Sequence, residues 1–262
     1  MKTAQSSWHL VVDDVGRPGF LNMALDRALL EDADRSGTAT LRLYCWTPPC
    51  LSFGRHEPAS RRYDRARVEQ LGLHVVRRPT GGRAVWHEHE VTYAVAAPVD
   101  AFGSLRAAYR TIHERLAAAL RALGADATLA PDRGRTRPPR HSTAASPDRP
   151  GPCFGAAVGG EILVGGRKLV GSAQVRHGDA FLQHGSILLG GSQESIQAVS
   201  RQPSATGGAT TLAAVLGRPV TFHQVVDAII RTWGQGLAAT ASYRALPPLT
   251  GAFLDPAWTW RR

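Results

Sequence analysis

The sequence predicts an α+β fold in which helices flank a central mixed β-sheet. Short apolar segments with the two-residue alternation of strands occur along much of the chain. Three or four other segments have apolar residues at the spacing of helices. Because strand-rich segments and helices are mixed along the chain, we expect a mixed sheet with helices packed against it.

The first part of the chain is predicted to form a strand, a helix and two further strands. Leu21, Leu25 and Leu29 mark one face of the helix, and Gly37 follows it as a stop. The alternation of the next strand is interrupted by prolines at 48 and 49 and then resumes. These elements are Leu10–Asp13, Gly19–Asp34, Leu41–Trp46 and Cys50–Phe53.

The middle of the chain is predicted to form two helices and two strands. The first strand runs into a Pro-Thr-Gly-Gly turn at residues 79–82. The second helix is the most distinct, because its apolar side chains share one face and Gly124 closes it. In chain order, these elements are Tyr63–Leu71, His74–Arg78, Val91–Ala97 and Leu105–Leu123.

Residues 130–152 are rich in proline and arginine and lead directly into Cys153. Such a composition does not form a core, so this segment is predicted to be a mobile loop. It either orders over a bound ligand or partner protein, or is a passive insertion.

The last part of the chain is predicted to form a hairpin, a strand and two helices. The hairpin turns at Gly165 and Gly166, and Thr221 is a candidate N-cap of the final long helix. The elements are Glu161–Val164, Lys168–Val175, Phe181–Leu189, Ser192–Ser200 and Thr221–Ala239.

Composition favours an ordinary globular protein, with 43% hydrophobic and 20% charged residues among 262. We expect a single domain over residues 1–262. The sequence contains no apolar run near the roughly 20 residues that cross a bilayer, and no secretory signal. Three cysteines without a C-x-x-C motif fit a reducing cytoplasm. Cys45 and Cys50 are interpreted as structural, because both lie in apolar strands.

The net charge of +10 suggests either nucleic acid or an acidic protein as partner, unless it only reflects an arginine-rich composition. No zinc-finger or RNA-binding signature accompanies the basic residues, so nucleic acid is not favoured.

Cys153 and Lys168 suggest thioester chemistry. Cys153 follows the proline-rich segment, and Lys168 comes fifteen residues later. The thiolate is the attacking form of cysteine, and a neighbouring ammonium lowers the pKa of the thiol. The alternatives are that Cys153 fills apolar space and that Lys168 is a solvated lysine at the start of a strand.

Two further features point to a site. The glycines of the Thr80-Gly81-Gly82 turn let the backbone approach a ligand, although a tight turn alone also needs them. His87 and His89 would face one side if they lie on a strand, but without a third ligand they are weak as a metal pair. His87 is instead expected to line the site or to help proton transfer, with His184 as a second candidate.

Three groups of motifs resemble the lipoate–protein ligase, octanoyltransferase and biotin–protein ligase superfamily. The Arg-Arg-Pro-Thr-Gly-Gly block and the Lys-Leu-Val-Gly-Ser-Ala-Gln block form the most specific pair. The resemblance spans roughly residues 22–189. The motifs are Asn22–Asp26 with Leu41–Tyr44 and Leu51–Arg55, Arg77–His87 with Thr92-Tyr93, and Cys153 with Lys168–Gln174 and Gln183–Ser186.

The octanoyltransferase branch fits best. Ligases need no cysteine nucleophile and usually carry a second domain, for which little chain follows Leu189. Arg83 also stands where many ligases have a third glycine of this turn. The alternatives are an ATP-dependent lipoate–protein ligase and an amidotransferase that moves octanoyl between lipoyl domains.

The resemblance implies an enzyme without a cofactor that moves octanoyl from acyl carrier protein, through a thioester on Cys153, to a lysine of a lipoyl domain such as that of glycine cleavage H protein. It places Lys168 at the acyl carbonyl, and we expect a cytoplasmic monomer. The implied substrate-binding residues are Arg78, Thr80, Gly81, Gly82, Arg83, His87, Gly171, Ser172, Ala173, Gln174, His184 and Gly185.

Overall fold

The computed structural model describes residues 8–131, 159–202, 208–234, 236–239 and 250–261. Two sheets are found in these parts of the chain. The strands are β1 (Trp8–Arg17), β2 (Ala39–Trp46), β3 (Cys50–Phe53), β4 (His74–Arg77), β5 (Val85–His87), β6 (Glu90–Pro98), β7 (Ala127–Leu129), β8 (Ile162–Val164), β9 (Arg167–His177), β10 (Ala180–Leu188) and β11 (Leu237–Ala239).

Helices connect and cover the sheets. The α-helices are α1 (Gly19–Ser36), α2 (Ala59–Arg62), α3 (Arg65–Gln70), α4 (Leu105–Ala122), α5 (Leu212–Leu216), α6 (Phe222–Trp233), α7 (Thr250–Leu254) and α8 (Pro256–Thr259), and two 3₁₀ helices cover Asp100–Phe102 and Gln193–Val199. None of the helices within the described ranges is long and apolar enough to cross a membrane.

The larger sheet has the strand order β11-β1-β2-β6-β10-β9-β8-β7. Strand β1 pairs in parallel with β2 and β11, and the remaining pairs are antiparallel, so the sheet is mixed as predicted. Along β6, Tyr93 and Val95 pack with α4 and α6, whereas Ala94 and Ala96 pack with α1. This alternation buries both faces of the sheet beneath helices.

The smaller sheet, of order β4-β3-β5, was not predicted as a separate unit. Its central strand β3 pairs in parallel with β4 and antiparallel with β5. Residues 78–84 therefore leave the sheet from β4 and return to it in β5. The strands on either side of the Thr-Gly-Gly turn, β4 and β5, both pair with β3.

Arg77, the last residue of β4, ties this sheet to the C-terminal helices. Its buried guanidinium donates hydrogen bonds to the carbonyl oxygens of Gly54 at 2.7 Å, Glu57 at 2.8 Å, Trp258 at 2.8 Å and Thr259 at 2.9 Å. Burial and the nearby Arg261 charge lower the pKa of Arg77 to about 10. The backbone acceptors compensate for removing this cation from water.

Most predicted elements are confirmed within a few residues, but the final helix was predicted too long. Thr221 does cap α6, in a reciprocal capping box with Gln224. The helix ends at Trp233, however, and Gly234 has a φ of 106°. Residues 237–239 then form strand β11 beside β1. The prediction failed because a short edge strand has little periodicity of its own.

Two other predictions differ from the structure. Helix α3 starts at Arg65, with the Asp64 side chain as its cap, instead of at Tyr63. Tyr63 is buried and donates a hydrogen bond to Glu57 at 2.9 Å. The predicted helix at 192–200 is a 3₁₀ helix. Cys153 and nearly all of the predicted loop at 130–152 lie outside the described residues.

Candidate active site

A largely apolar pocket lies between the α1 side of the larger sheet and the chain around β5. Seven sequence-predicted site residues line it: Arg78, His87, Gly171, Ser172, Ala173, His184 and Gly185. Six others were not predicted as site residues: Met23, Tyr44, Trp46, Val85, Thr92 and Ser186. The pocket therefore combines apolar and aromatic walls with a few polar groups, as small-molecule sites commonly do.

Arg78 organises the loop between β4 and β5. Its Nη1 donates to the Ser52 carbonyl at 3.0 Å and also contacts the Ser52 hydroxyl. Its Nη2 donates to the carbonyl oxygens of Gly81 at 3.3 Å and Arg83 at 2.7 Å. The planar guanidinium thus joins β3 to the glycine loop through its fixed fork of donors. Of the predicted loop residues, Thr80, Gly81, Gly82 and Arg83 do not line the pocket wall.

Gly54, at the end of β3, allows the glycine loop to approach closely. A Cβ atom at this position would lie 1.8 Å from the Gly82 carbonyl oxygen and 2.6 Å from its carbonyl carbon. Gly82 itself has a φ of 88°, which favours glycine. The Arg55 amide donates to the Thr80 carbonyl at 2.7 Å and fixes the start of the same loop.

His184 lies in a buried chain of hydrogen bonds. Its Nε2 is 2.7 Å from Thr80 Oγ1, and its Nδ1 is 2.8 Å from Asp26 Oδ2. The Asp26 carboxylate also accepts hydrogen bonds from Arg42 at 2.9 Å and from the Tyr44 hydroxyl at 2.9 Å. These side chains are all buried. Asp26 ends the Asn22–Asp26 motif but was not predicted to be a site residue.

Arg42 is shared by two buried carboxylates. Its Nη1 contacts Asp26, and its Nη2 lies 2.8 Å from Asp13 Oδ2. Burial alone would lower the pKa of Arg42, but the two carboxylates raise it. The pKa of Tyr44 is raised by burial and by the charge of Asp26. The guanidinium thereby offsets the negative charge beside His184.

His87 forms a second, similar chain. Its Nε2 is 2.6 Å from Ser52 Oγ, and its Nδ1 is 2.8 Å from Glu90 Oε1. Trp46 stacks on the ring with a centroid separation of 3.9 Å. Burial lowers the pKa of His87, and Glu90 only partly opposes this effect. The alternative of a His87–His89 metal pair, which the sequence did not favour, is not supported, because β5 ends at His87 and the His89 side chain is 62% exposed.

Lys168 is buried rather than solvated, but it does not line the pocket. Its Nζ lies 2.7 Å from Glu161 Oε1, and both side chains are at most 3% exposed. Glu161 was not predicted as a site residue. Burial and the charge of Lys168 lower the pKa of the nearby His113 to about 3.

His113 belongs to a polar network beneath α4 that the sequence did not indicate. Its Nε2 is 2.8 Å from Ser172 Oγ, which is 2.6 Å from the Tyr93 hydroxyl. Gln183 donates to that hydroxyl at 3.1 Å. The predicted site residue Gln174 donates to Gln183 at 3.2 Å and to the Leu105 carbonyl, and lies outside the pocket wall.

The two described cysteines support a structural role. Cys50 is fully buried, and burial raises the pKa of its thiol well above the ordinary range. Cys45 is half-buried, and burial and the charge of Asp14 also raise the pKa of its thiol. Neither environment favours a thiolate. Within the described ranges, histidine, cysteine and carboxylate side chains form no group of three or more placed to hold a metal ion.

Comparisons with known proteins agree with the resemblance of the motifs. The family profile described as "Lipoyl protein ligase A/B catalytic domain" matches residues 18–234. Octanoyltransferase LipM of Moorella thermoacetica is 40% identical over 241 residues, covering 87% of this chain and 85% of that protein. Octanoyltransferase LipM of Kyrpidia tusciae is 37% identical over 281 aligned positions, covering 98% and 99%.

Solved structures share the fold. A lipoate-protein ligase A bound with ATP has a TM-score of 0.74 at 20% identity, covering 96% of this chain and 98% of that one. A bi-partite lipoate protein ligase of Thermoplasma acidophilum has a TM-score of 0.71 at 18% identity, covering 97% and 96%. The chain belongs to the lipoyl protein ligase A/B catalytic-domain family and, at 37–40% identity over most of its length, to the octanoyltransferase LipM group of acyltransferases within it.

Proposed function

We propose that this chain transfers an octanoyl group from acyl carrier protein to the lysine of a lipoyl domain, through a thioester on Cys153. The observation that carries the proposal is the similarity to octanoyltransferases LipM over most of the chain. The mainly apolar pocket beside Arg78 and His184 supports it, because an acyl chain needs an apolar wall and its carbonyl needs nearby polar groups.

The reaction proceeds in two half-reactions. The Cys153 thiolate attacks the octanoyl thioester, and the carrier thiol leaves. The amine of the target lysine then attacks the acyl-enzyme, so a C–N bond forms, the C–S bond breaks and Cys153 is regenerated. No ATP is consumed, since a thioester is already activated for acyl transfer. Lys168 stabilises the oxyanion of each tetrahedral intermediate in this scheme.

The positive charge of the enzyme supports acidic protein partners. Arg55, Arg61 and Arg67 are exposed on the segment that follows β3, close in sequence to the strand that holds the glycine loop. Charges of this kind raise the rate of association with a partner of opposite charge. The second-order rate of loading from acyl carrier protein should therefore fall as ionic strength rises.

Intact-protein mass after mixing with octanoyl-acyl carrier protein, without ATP, tests the proposal. We expect a gain of one octanoyl group that hydroxylamine removes and that Cys153→Ala abolishes. Cys50→Ala is the matched control and should still be loaded. Transfer that needs free octanoate and ATP, and that survives Cys153→Ala, would instead establish a ligase. Loading only from an octanoylated lipoyl domain would establish an amidotransferase.

A further inference from the structure

Two hydroxyl–imidazole–carboxylate chains meet at the pocket. One joins Ser52, His87 and Glu90, and the other joins Thr80 and His184 to the Asp26 carboxylate. In each chain the carboxylate accepts from Nδ1, so Nδ1 carries the proton and Nε2 accepts from the hydroxyl. Both imidazoles line the pocket, but their surroundings differ.

The His87 chain makes several structural contacts, although Oε2 of its Glu90 is buried without a hydrogen-bond partner among the described residues. The Ser52 hydroxyl that meets His87 also contacts the guanidinium of Arg78. Glu90 Oε1 also accepts from Ser186 at 2.9 Å and from Thr92. Trp46 covers the ring face, and burial lowers the pKa of His87. This chain therefore orients Arg78, which in turn holds the glycine loop.

The His184 chain ends at the loop itself. Thr80 is the residue before Gly81 and Gly82, and its hydroxyl meets Nε2 of His184. At the other end, Asp26 lies directly against Nδ1 and would stabilise an imidazolium formed by proton uptake. Since carboxylates fix a catalytic histidine in this way in hydrolases, the geometry is suited to proton transfer.

The reaction needs such a proton acceptor. The attacking lysine amine must lose a proton as the amide forms. Lys168 is not suited to accept it, because its ammonium is paired with Glu161 at 2.7 Å. Of the two histidines on the pocket wall, only the His184 chain reaches the glycine loop directly.

We propose that Thr80, His184 and Asp26 form a proton relay for acyl transfer, with Asp26 as the positioning residue. The inference rests on the proposed function. The amine nitrogen bonds to the acyl carbon and the Cys153 thiolate leaves. The proton that the nitrogen loses passes to Thr80 Oγ1. The Thr80 hydroxyl proton passes to Nε2 of His184, and the imidazolium returns a proton to the departing thiolate.

The test separates the two half-reactions. Wild-type enzyme and variants are loaded with octanoyl-acyl carrier protein, the adduct is quantified by mass, and transfer to a lipoyl domain is followed in a single turnover. We expect Asp26→Asn and Thr80→Val to slow this transfer by about 10²–10⁴-fold, the range of general base catalysis. Thr80→Ser, which keeps the hydroxyl, should retain most of the rate.

Asp13→Asn is the matched control, because it removes the other carboxylate on Arg42 without touching His184. It should transfer close to the wild-type rate. Nitrogen-15 NMR should show the Nδ1-protonated tautomer of His184 in wild type and its loss in Asp26→Asn, a change that weaker folding alone would not produce.

The outcomes are distinct. If wild type forms no adduct, the proposed function and the relay are both overturned. If wild type is loaded and Asp26→Asn and Thr80→Val transfer at its rate, only the relay is overturned. If Asp26→Asn does not fold, the comparison of Thr80→Val with Thr80→Ser decides: equal rates overturn the relay, and a large loss confined to Thr80→Val supports it.

Discussion

Gly54→Ala should damage the site without changing any group that lines the pocket. The new Cβ would lie 1.8 Å from the Gly82 carbonyl oxygen, whereas ordinary contact begins at 3.4 Å. The oxygen would have to retreat by about 1.6 Å, and the three nearest atoms, from Gly81 and Gly82, all belong to the backbone. The glycine loop therefore has to move as a whole, because no flexible side chain can absorb the clash.

Such a movement would break the contacts that hold the loop. Arg78 reaches the Gly81 carbonyl at 3.3 Å and the Arg83 carbonyl at 2.7 Å, and the Arg55 amide reaches Thr80 at 2.7 Å. A displacement of this size takes at least the longest of these beyond hydrogen-bonding distance. We expect octanoyl transfer to fall by about 100-fold, since a misplacement of 1 Å can have that effect. The free energy of unfolding should fall by about 1–3 kcal/mol.

Single-turnover transfer and chemical denaturation measure the two effects. Gly190→Ala is the matched control, because its Cβ would meet its nearest neighbour, His89, at 3.9 Å. Its unfolding free energy should be close to that of wild type. A Gly54→Ala enzyme with wild-type activity and stability would show that the loop tolerates displacement, and the steric argument would be wrong.

Three further predictions concern buried polar groups. In chemical denaturation, Glu161→Gln should lower the free energy of unfolding by about 3 kcal/mol, because it removes the carboxylate that pairs with the buried Lys168 ammonium. The double variant Glu161→Gln/Lys168→Met should recover part of this loss. The pKa of His113 is about 3 in the fold, below its unfolded value of about 6.5. The stability present above pH 6.5 is therefore lost as the pH falls toward 3, by up to about 1.4 kcal/mol per pH unit. His113→Gln should flatten that slope in denaturation curves measured at several pH values. Cys50 should resist alkylation in the native enzyme and react once the protein is unfolded, as mass spectrometry of labelled peptides would show; rapid native labelling would contradict its burial.

The sequence predicted the longer strands of the larger sheet and the helices on it well because their signals are local. Alternation along β6 and helical spacing along α4 each lie within one segment. The short strands β5, β7 and β11, and the pairing of β3, β4 and β5 into a separate sheet, were missed for the opposite reason. Strands of three or four residues are defined by their partners, and β11 depends on pairing with β1 across more than 200 residues of chain.

In the candidate site, too, local motifs could be predicted, whereas contacts between residues far apart in the sequence could not. The motifs identified Arg78, His87 and His184, but not the carboxylates that pair with the two histidines. Asp26 and His184 are separated by 158 positions, so only the folded sheet brings them together. The Asn22–Asp26 motif did contain a usable signal, because a charged residue on a helix face of buried neighbours requires a partner.

Two adjacent arginines at the end of β4 hold two distant parts of the chain. Arg78 holds the glycine loop, whereas Arg77 is bonded to the carbonyls of Trp258 and Thr259, more than 180 positions away. Helix α8 thus supports the glycine loop indirectly, because it fixes Arg77, the residue that precedes Arg78. Shortening the chain to Leu254 would remove these two acceptors and leave the Arg77 guanidinium with fewer hydrogen bonds, those to the carbonyl oxygens of residues 54–57. A C-terminal truncation is thus expected to behave as an active-site mutation, although it removes no residue of the pocket wall.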